Sequence, residues 1–244
     1  MKAYALCVSL ALLVWGAPEA DAQTAPVAMT RESPTSESTG DGRDVIGRVE
    51  MGYRGVFVTN AGYNPYSNDD YFSGFSLTVS HPLFAWSRFV FAPGLSWDYG
   101  ASSAVSRGDP TSLEVHRLTA PLEGRVRFVA GWGYAFVRLA PGAALEHVEL
   151  DEGSATPSAL KENRWLFATD ASVGYAIPLL GVPERRGVFR LWLQSDVGYS
   201  WVADRHVDLE PTLPAGGPEA ANGLDLGTLG LRGAFFRVAA AMSY

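Results

Sequence analysis

Four histidines, His81, His116, His147 and His206, are the side chains in this 244-residue chain best suited to proton transfer or metal binding. Imidazole titrates near neutrality and offers a neutral nitrogen donor. His116 and His147 lie at nearly equal distances from a turn at Gly131-Trp132, so in an antiparallel hairpin they would come close to one level. Ser112, Glu114 and Glu149 share their parity, which would assemble a His, Ser and acid set. The same parity groups the two histidines with Leu118 and Leu145, however, and reads them as interfacial residues of an apolar face. His81 adjoins Pro82 in a turn, and His206 stands with Asp204 and Asp208 in a loop. Neither has the nucleophile and base arrangement of covalent catalysis. Cys7 is the only cysteine and lies in an apolar N-terminal run, so no thiol or disulfide is expected in the mature chain. No catalytic residue, cofactor or metal site is assigned.

The elements that would position any site are strands. From residue 45 onward the chain reads as eight alternating segments, at about 45–59, 71–81, 87–100, 112–128, 133–148, 163–178, 187–202 and 224–243, where period two means strand. In the third, Phe89, Phe91, Leu95, Trp97 and Tyr99 share one face, and Ala92, Gly94, Ser96 and Asp98 share the other. The sixth and seventh repeat the pattern, with Trp192 a bulky exception on the polar side of the seventh. In the eighth, Arg232 falls in phase with Phe236, Val238 and Met242, which predicts a bulge at Gly230 or Gly233. Each segment reaches the roughly 9 to 11 residues a tilted strand needs to cross a bilayer.

The N-terminus carries a different signal. Lys2, an apolar run from Tyr4 to Gly16 and the small-residue triplet Ala20-Asp21-Ala22 predict a secretory signal peptide at 1–22. Residues 23–44 are rich in Pro, Ser, Thr, Glu and Gly without periodicity and read as a disordered linker. The net charge of −7 argues against nucleic acid, which asks for a basic face.

Alternation does not say which face is inside, so a soluble barrel of lipocalin type competes with a membrane barrel. Three features favour the membrane. Large apolar side chains would crowd the interior of eight strands, whereas Gly, Ala, Ser and compact ion pairs fit there. The connections 60–70, 101–111, 149–162 and 203–223 are long and polar, and those between are shorter, as in outer-membrane barrels. Aromatics, among them Trp86, Trp97, Trp132, Trp165, Trp201 and Tyr244, gather near strand ends, where their rings suit membrane interfaces.

On this reading the lumen face carries Arg48, Glu50, Arg54, Asp98, Arg117, Glu123, Arg125, Arg127, Arg138, Glu146, Asp170, Arg190, Gln194, Asp196 and Arg237. Buried charges are tolerated only when paired and hydrogen-bonded, so the set predicts a salt-bridged core. The loop charges read as solvated and mainly acidic, with Asp69, Asp70, Asp109, Glu149, Asp151, Glu152, Glu162, Asp204, Asp208, Glu210 and Glu219 against Arg107, Lys161 and Arg205.

The chain ends in the alternating stretch AFFRVAAAMSY, with Tyr244 last and the apolar Met242 two positions earlier. That ending resembles the assembly signal of bacterial outer-membrane β-barrels. In strand number, length and terminus, residues 45–244 resemble the small barrels of the OmpA transmembrane-domain and OmpX kind. The resemblance implies an all-β, eight-stranded antiparallel up-and-down transmembrane barrel in the bacterial outer membrane, with the linker in the periplasm. It implies outer-membrane lipid and lipopolysaccharide as surroundings, and delivery to the barrel-assembly machinery through the last strand. Related barrels include lipid A deacylases, but the His-x-Ser spacing associated with them is absent, since Leu118 follows two residues after His116.

The expected role is therefore non-enzymatic: envelope structure, adhesion or recognition of a surface partner through the acidic loops. A narrow channel for small or apolar solutes and a lipid-modifying enzyme are the alternatives. Deleting Tyr244, or replacing it with a charged residue, is expected to lower the yield of folded barrel in outer membranes. Undiminished assembly of both variants would remove the terminal-aromatic argument.

Overall fold

The computed structural model describes residues 47–106, 109–128, 133–152, 158–180, 190–209 and 224–243. Segments 1–22 and 23–44, Trp132 and Tyr244 lie outside the described residues. Among the described residues the chain forms twelve strands: β1 (Arg48–Val58), β2 (Tyr71–Ser80), β3 (Phe84–Trp86), β4 (Phe89–Ser106), β5 (Asp109–Thr119), β6 (Leu122–Arg127), β7 (Tyr134–Glu152), β8 (Ser158–Leu180), β9 (Arg190–Val202), β10 (Arg205–Leu209), β11 (Leu224–Leu229) and β12 (Gly233–Ser243).

Eight antiparallel wall strands close on themselves. β1 pairs with β12 on one side and β2 on the other, β2 pairs with β4, and the wall continues through β5, β7, β8 and β9 back to β12. β6 continues the β5 wall, lying likewise between β4 and β7. The two are parted at Ala120-Pro121, because proline has no N–H to give to a ladder. The seam stays sealed: Gly94 N donates to Pro121 O and Ala120 N donates to Pro141 O, each at 2.8 Å. Closure satisfies both edges of every wall strand. At the β1–β12 seam only glycine fits at position 233, since a Cβ there would overlap the Phe57 carbonyl oxygen.

Alternation sets the two faces. On β1, Arg48, Glu50, Arg54, Val56 and Val58 are buried inside while Met51, Tyr53 and Phe57 are exposed outside. Outward apolar side chains recur around the wall, including Leu95, Leu118, Val137, Phe167, Val173 and Val197. The rim bearing Arg48 and Ser243 is termed proximal, and the opposite one distal.

Three sequence expectations change at the distal rim. The loop expected at 101–111 is ladder: β4 and β5 pair from Ser96↔Thr119 out to Ser106↔Asp109. The loop expected at 149–162 is ladder as well, with β7 and β8 paired out to Glu152↔Ser158. Beyond an apolar belt a strand no longer needs an apolar outer face, so its polarity resembles that of a loop. Third, the segment 224–243 is interrupted rather than bulged. β11 leaves the wall and pairs with β10, which falls inside the loop expected at 203–223, and β12 begins only at Gly233.

The β10–β11 hairpin folds over the lumen. Val207, Leu209, Leu229 and Leu231 are buried with Val56, Val58, Phe72, Leu113, Val115, Val148, Leu160, Val202 and Phe235 in one apolar cluster. A 3-10 turn at Ala61–Tyr66 adds Tyr63 and Tyr66 to it. The Asn60 side chain caps the turn by accepting from Gly62 N at 2.9 Å, and Ser102 Oγ donates to Tyr66 O at 2.6 Å. Burial pushes the pKa of both phenols up. The lumen thus has a charged proximal part and an apolar distal plug. Because Leu209 is 1% exposed, Leu209→Ala is expected to lower unfolding stability in detergent by about 2–5 kcal/mol, the range for a buried Leu truncation. A denaturant midpoint within error of wild type would show the hairpin to be a loose flap.

Candidate functional site

The lumen brings together the inward charges in four groups. The most proximal joins β1, β6, β7 and β9. Arg48 Nε donates to Glu50 Oε1 at 2.9 Å, and Arg48 Nη2 donates to Gln194 Oε1 at 2.7 Å. Arg125 Nε donates to Glu123 Oε1 at 2.5 Å and Arg138 Nε to Glu123 Oε2 at 2.7 Å. Arg138 Nη2 reaches Glu50 Oε2 at 3.0 Å, so Glu50 and Glu123 share the guanidiniums between them. Tyr134 lies under Arg48 and Arg125 at 5.3 and 5.5 Å from its ring centroid, and Phe136 lies 5.1 Å from Arg138. Trp192, the exception in the sequence pattern, packs against Tyr134 at 5.6 Å and donates from Nε1 to Ser243 Oγ at 3.1 Å. Its indole fills the proximal lumen beneath the charges, with its one polar atom satisfied.

The second group is a bidentate pair. Arg237 Nε and Nη2 donate to Asp196 Oδ1 and Oδ2 at 2.9 and 2.8 Å, from positions directly opposed in the β12–β9 register. In the third, Arg54 bridges Asp98 and Asp170, both at 3.1 Å, and Arg117 Nη2 donates to Asp170 at 2.8 Å. Ser200 Oγ accepts from Arg54 at 2.8 Å and from Arg117 at 3.2 Å. Between this group and the apolar plug lies a cavity of about 30 Å³ lined by Arg54, Asp98, Arg117, Ser200, Phe72 and Leu231. That is room for about one water molecule.

Of the fourth group only Glu146 belongs to the lumen charges expected from the sequence. Arg205, counted in the sequence with the solvated loop charges, is 4% exposed and donates from Nε to Glu146 Oε2 at 2.8 Å. Its Nη1 lies 2.6 Å from Glu162 Oε2. This group ties β10 to β7 and β8 above the plug. The signal that locates it is the alternation of Arg205, Val207 and Leu209 against His206 and Asp208, which emerges as inside and outside on β10. Arg127 and Arg190 sit half-buried toward the proximal rim.

Chemically the lumen is a set of held charges. Guanidinium does not give up its proton in proteins, so the arginines cannot relay protons. Each buried carboxylate named above accepts from at least one of them. The groups cross-link strands distant in sequence rather than leaving one charge presented to a substrate.

The outward histidines are diagonal neighbours on the β5–β7 wall rather than directly opposed. His116 pairs in register with Leu145, and His147 with Glu114 on one side and Asn163 on the other. His116 stacks beside Trp97 and Tyr99, at 6.2 and 4.9 Å between centroids. His147 Nδ1 lies 2.5 Å from Asn163 Oδ1, and its Nε2 lies 3.6 Å from Glu149, whose other oxygen pairs with Lys161 at 2.8 Å. Ser112 stands opposite Glu149 in the same register, so the expected His, Ser and acid residues share one outward strip, with each histidine turned to the neighbours just named. Of the expected interface aromatics, Trp86 is 81% exposed on the proximal β3 turn, Trp97 and Trp165 face outward, and Trp201 is half-buried against Phe167.

No protein-family model matches this sequence, and a search of curated proteins finds no match either.

The Arg237–Asp196 pair separates a lumen charge from a solvated one. Asp196→Leu alone is expected to destabilise the barrel by roughly 3–5 kcal/mol, because Arg237 is left buried without its acceptor. Adding Arg237→Leu should recover most of that loss. A double variant that loses the sum of the two single penalties would show the pair to be hydrated and uncoupled.

Proposed function

We propose that this chain is a non-enzymatic outer-membrane β-barrel, similar to the small OmpA transmembrane-domain and OmpX barrels, with a closed lumen and a surface or envelope role. The observation that carries the reading is the filling of the lumen: cross-linked charge groups in the proximal part and an apolar plug beneath the β10–β11 hairpin. A solute path would need a continuous polar track, and both fillings oppose one. Placement in a membrane is supported by the outward belt of Met51, Leu95, Val137, Phe167, Val173 and Val197, among others, whose exposure to water would be costly on a soluble protein. Wall strands of ten residues or more suffice to cross a bilayer at a tilt.

With the lumen closed, interactions fall to the outer surface. The belt would contact lipid, and the distal rim would contact lipopolysaccharide or a surface partner. Exposed Asp69, Asp70, Asp204, Asp208 and Asp225 give that rim an acidic character suited to a basic partner or to cations.

Reconstitution of the folded protein in planar bilayers tests the reading. Bare-membrane current is expected across the voltage range, together with recovery of the protein in outer-membrane fractions. Stable single-channel steps would replace the closed scaffold by a channel, and recovery in the soluble periplasmic fraction would remove the membrane placement.

A further inference from the structure

The β10–β11 hairpin has two faces, and only one is used by the plug. Arg205, Val207 and Leu209 point into the barrel, while His206 and Asp208 alternate with them and point away. Asp225 lies on β11 directly opposite Asp208 in the register, after an irregularity between Val207 and Asp208. The three side chains therefore converge on the solvent face of a short ladder whose other face is anchored in the core.

Three features of this cluster indicate a ligand. First, the donor set is mixed, one imidazole nitrogen and two carboxylates, which suits zinc and similar first-row divalent ions rather than the all-oxygen surroundings of calcium. Second, the spacing fits. His206 Nε2 lies 3.2 Å from Asp225 Oδ1 and 3.5 Å from Asp208 Oδ1, and one donor atom from each residue falls within 4.8 Å of the others. Metal–donor bonds of about 2.0–2.2 Å in a tetrahedron separate neighbouring donors by roughly 3.3–3.6 Å. Third, the two carboxylates stand directly opposite each other across a two-stranded ladder, a like-charge pairing that a cation held between them would relieve. The sequence supplies no Lys or Arg from His206 to Leu231.

We propose that His206, Asp208 and Asp225 form a surface binding site for a zinc-class divalent cation, with three protein donors and the remaining position open to water or to a partner's donor. The Asp225 carboxylate is oriented by the Gly227 N–H, which donates to Oδ1 at 2.7 Å. Because the opposite face is held by Arg205, Val207 and Leu209, the site is presented on a fixed element rather than on a free loop. A bound cation would clamp the end of the hairpin farthest from its junctions with β9 and β12. The proposal does not depend on where the barrel resides.

Zinc binding to the folded full chain in detergent, by titration calorimetry at neutral pH, tests it. One site is expected. His206→Ala and Asp225→Asn should each weaken it by at least the ~10–100-fold that loss of a ligand's outer partner costs, whereas His116→Ala and His147→Ala should leave it unchanged. In the unaltered protein, zinc should protect His206 and leave His81 open to diethyl pyrocarbonate, as read by peptide mass; this measurement does not require a variant to fold. Absence of zinc binding, equal binding by His206→Ala, or unprotected His206 at saturating zinc would each overturn the site.

Discussion

An eight-stranded wall encloses a space that side chains can fill and little else, and the rest of this structure follows from that limit. A charge pointing inward has no bulk water to reach, so it must meet its opposite. Strand pairing supplies the partner in two places: Arg237 stands opposite Asp196 and Arg138 opposite Glu123. A slip of one residue at any of these seams would turn an entire set of charges outward and a set of apolar side chains inward. Charge pairing and register therefore enforce each other. Buried ion pairs gain little stability relative to apolar residues of similar volume, but here they oppose misregistered closure. Glu50 and Glu123 tie together the β1, β6, β7 and β9 walls, which no single hairpin would bring into contact.

The distal half of the lumen meets the same limit differently. Its inward residues, such as Val56, Val58, Leu113, Val148 and Val202, leave an apolar mouth that would be wetted if left open. The chain closes it with segments drawn from two connections, the 3-10 turn after β1 and the β10–β11 hairpin after β9. A two-stranded hairpin is marginal by itself, and this one is stabilised by the apolar residues on its inner face and by the Arg205 contacts to Glu146 and Glu162. Tyr66 belongs to both features, since its ring lies in the plug and its surroundings include that ion group.

Legibility in the sequence followed the strength of alternation. Where one face is uniformly apolar, as in Phe89 to Tyr99 or Trp165 to Ile177, strand, face and inward charge could all be read. It was lost in two situations. The extensions of β4 and β5 carry mostly polar or small residues, such as Ala101, Ser102 and Ser103, and those of β7 and β8 are polar outside, at Glu149 and Lys161, with Leu150 and Leu160 turned into the plug; they look like loops because nothing requires an apolar outer side there. The β10 strand was hidden by length and context: five residues beside a Pro- and Gly-rich stretch, although Arg205, Val207 and Leu209 already alternate with His206 and Asp208. Arg205 is hidden for the same reason, since a charge within a connection reads as solvated while here it lies on the inner face of β10. No periodicity in one strand could have joined Asp208 to Asp225, because their approach depends on the pairing of two segments across the sixteen residues between them.

These extensions change what the distal rim is as a surface. A rim of free loops would have to be ordered on binding, at a cost in side-chain and backbone freedom. Here β4 with β5, β7 with β8 and β10 with β11 carry paired backbones out to Ser106↔Asp109, Glu152↔Ser158 and Leu209↔Leu224, so outward side chains along them are held at fixed spacings before any partner arrives. His147 beside Asn163, Glu149 beside Lys161, and His206 beside Asp225 are cross-strand neighbours of this kind. A barrel whose interior is closed can interact only through its outside. Extending the ladder past the apolar belt gives that outside a rigid polar edge, where small shifts in spacing decide which cations or donor groups are accommodated.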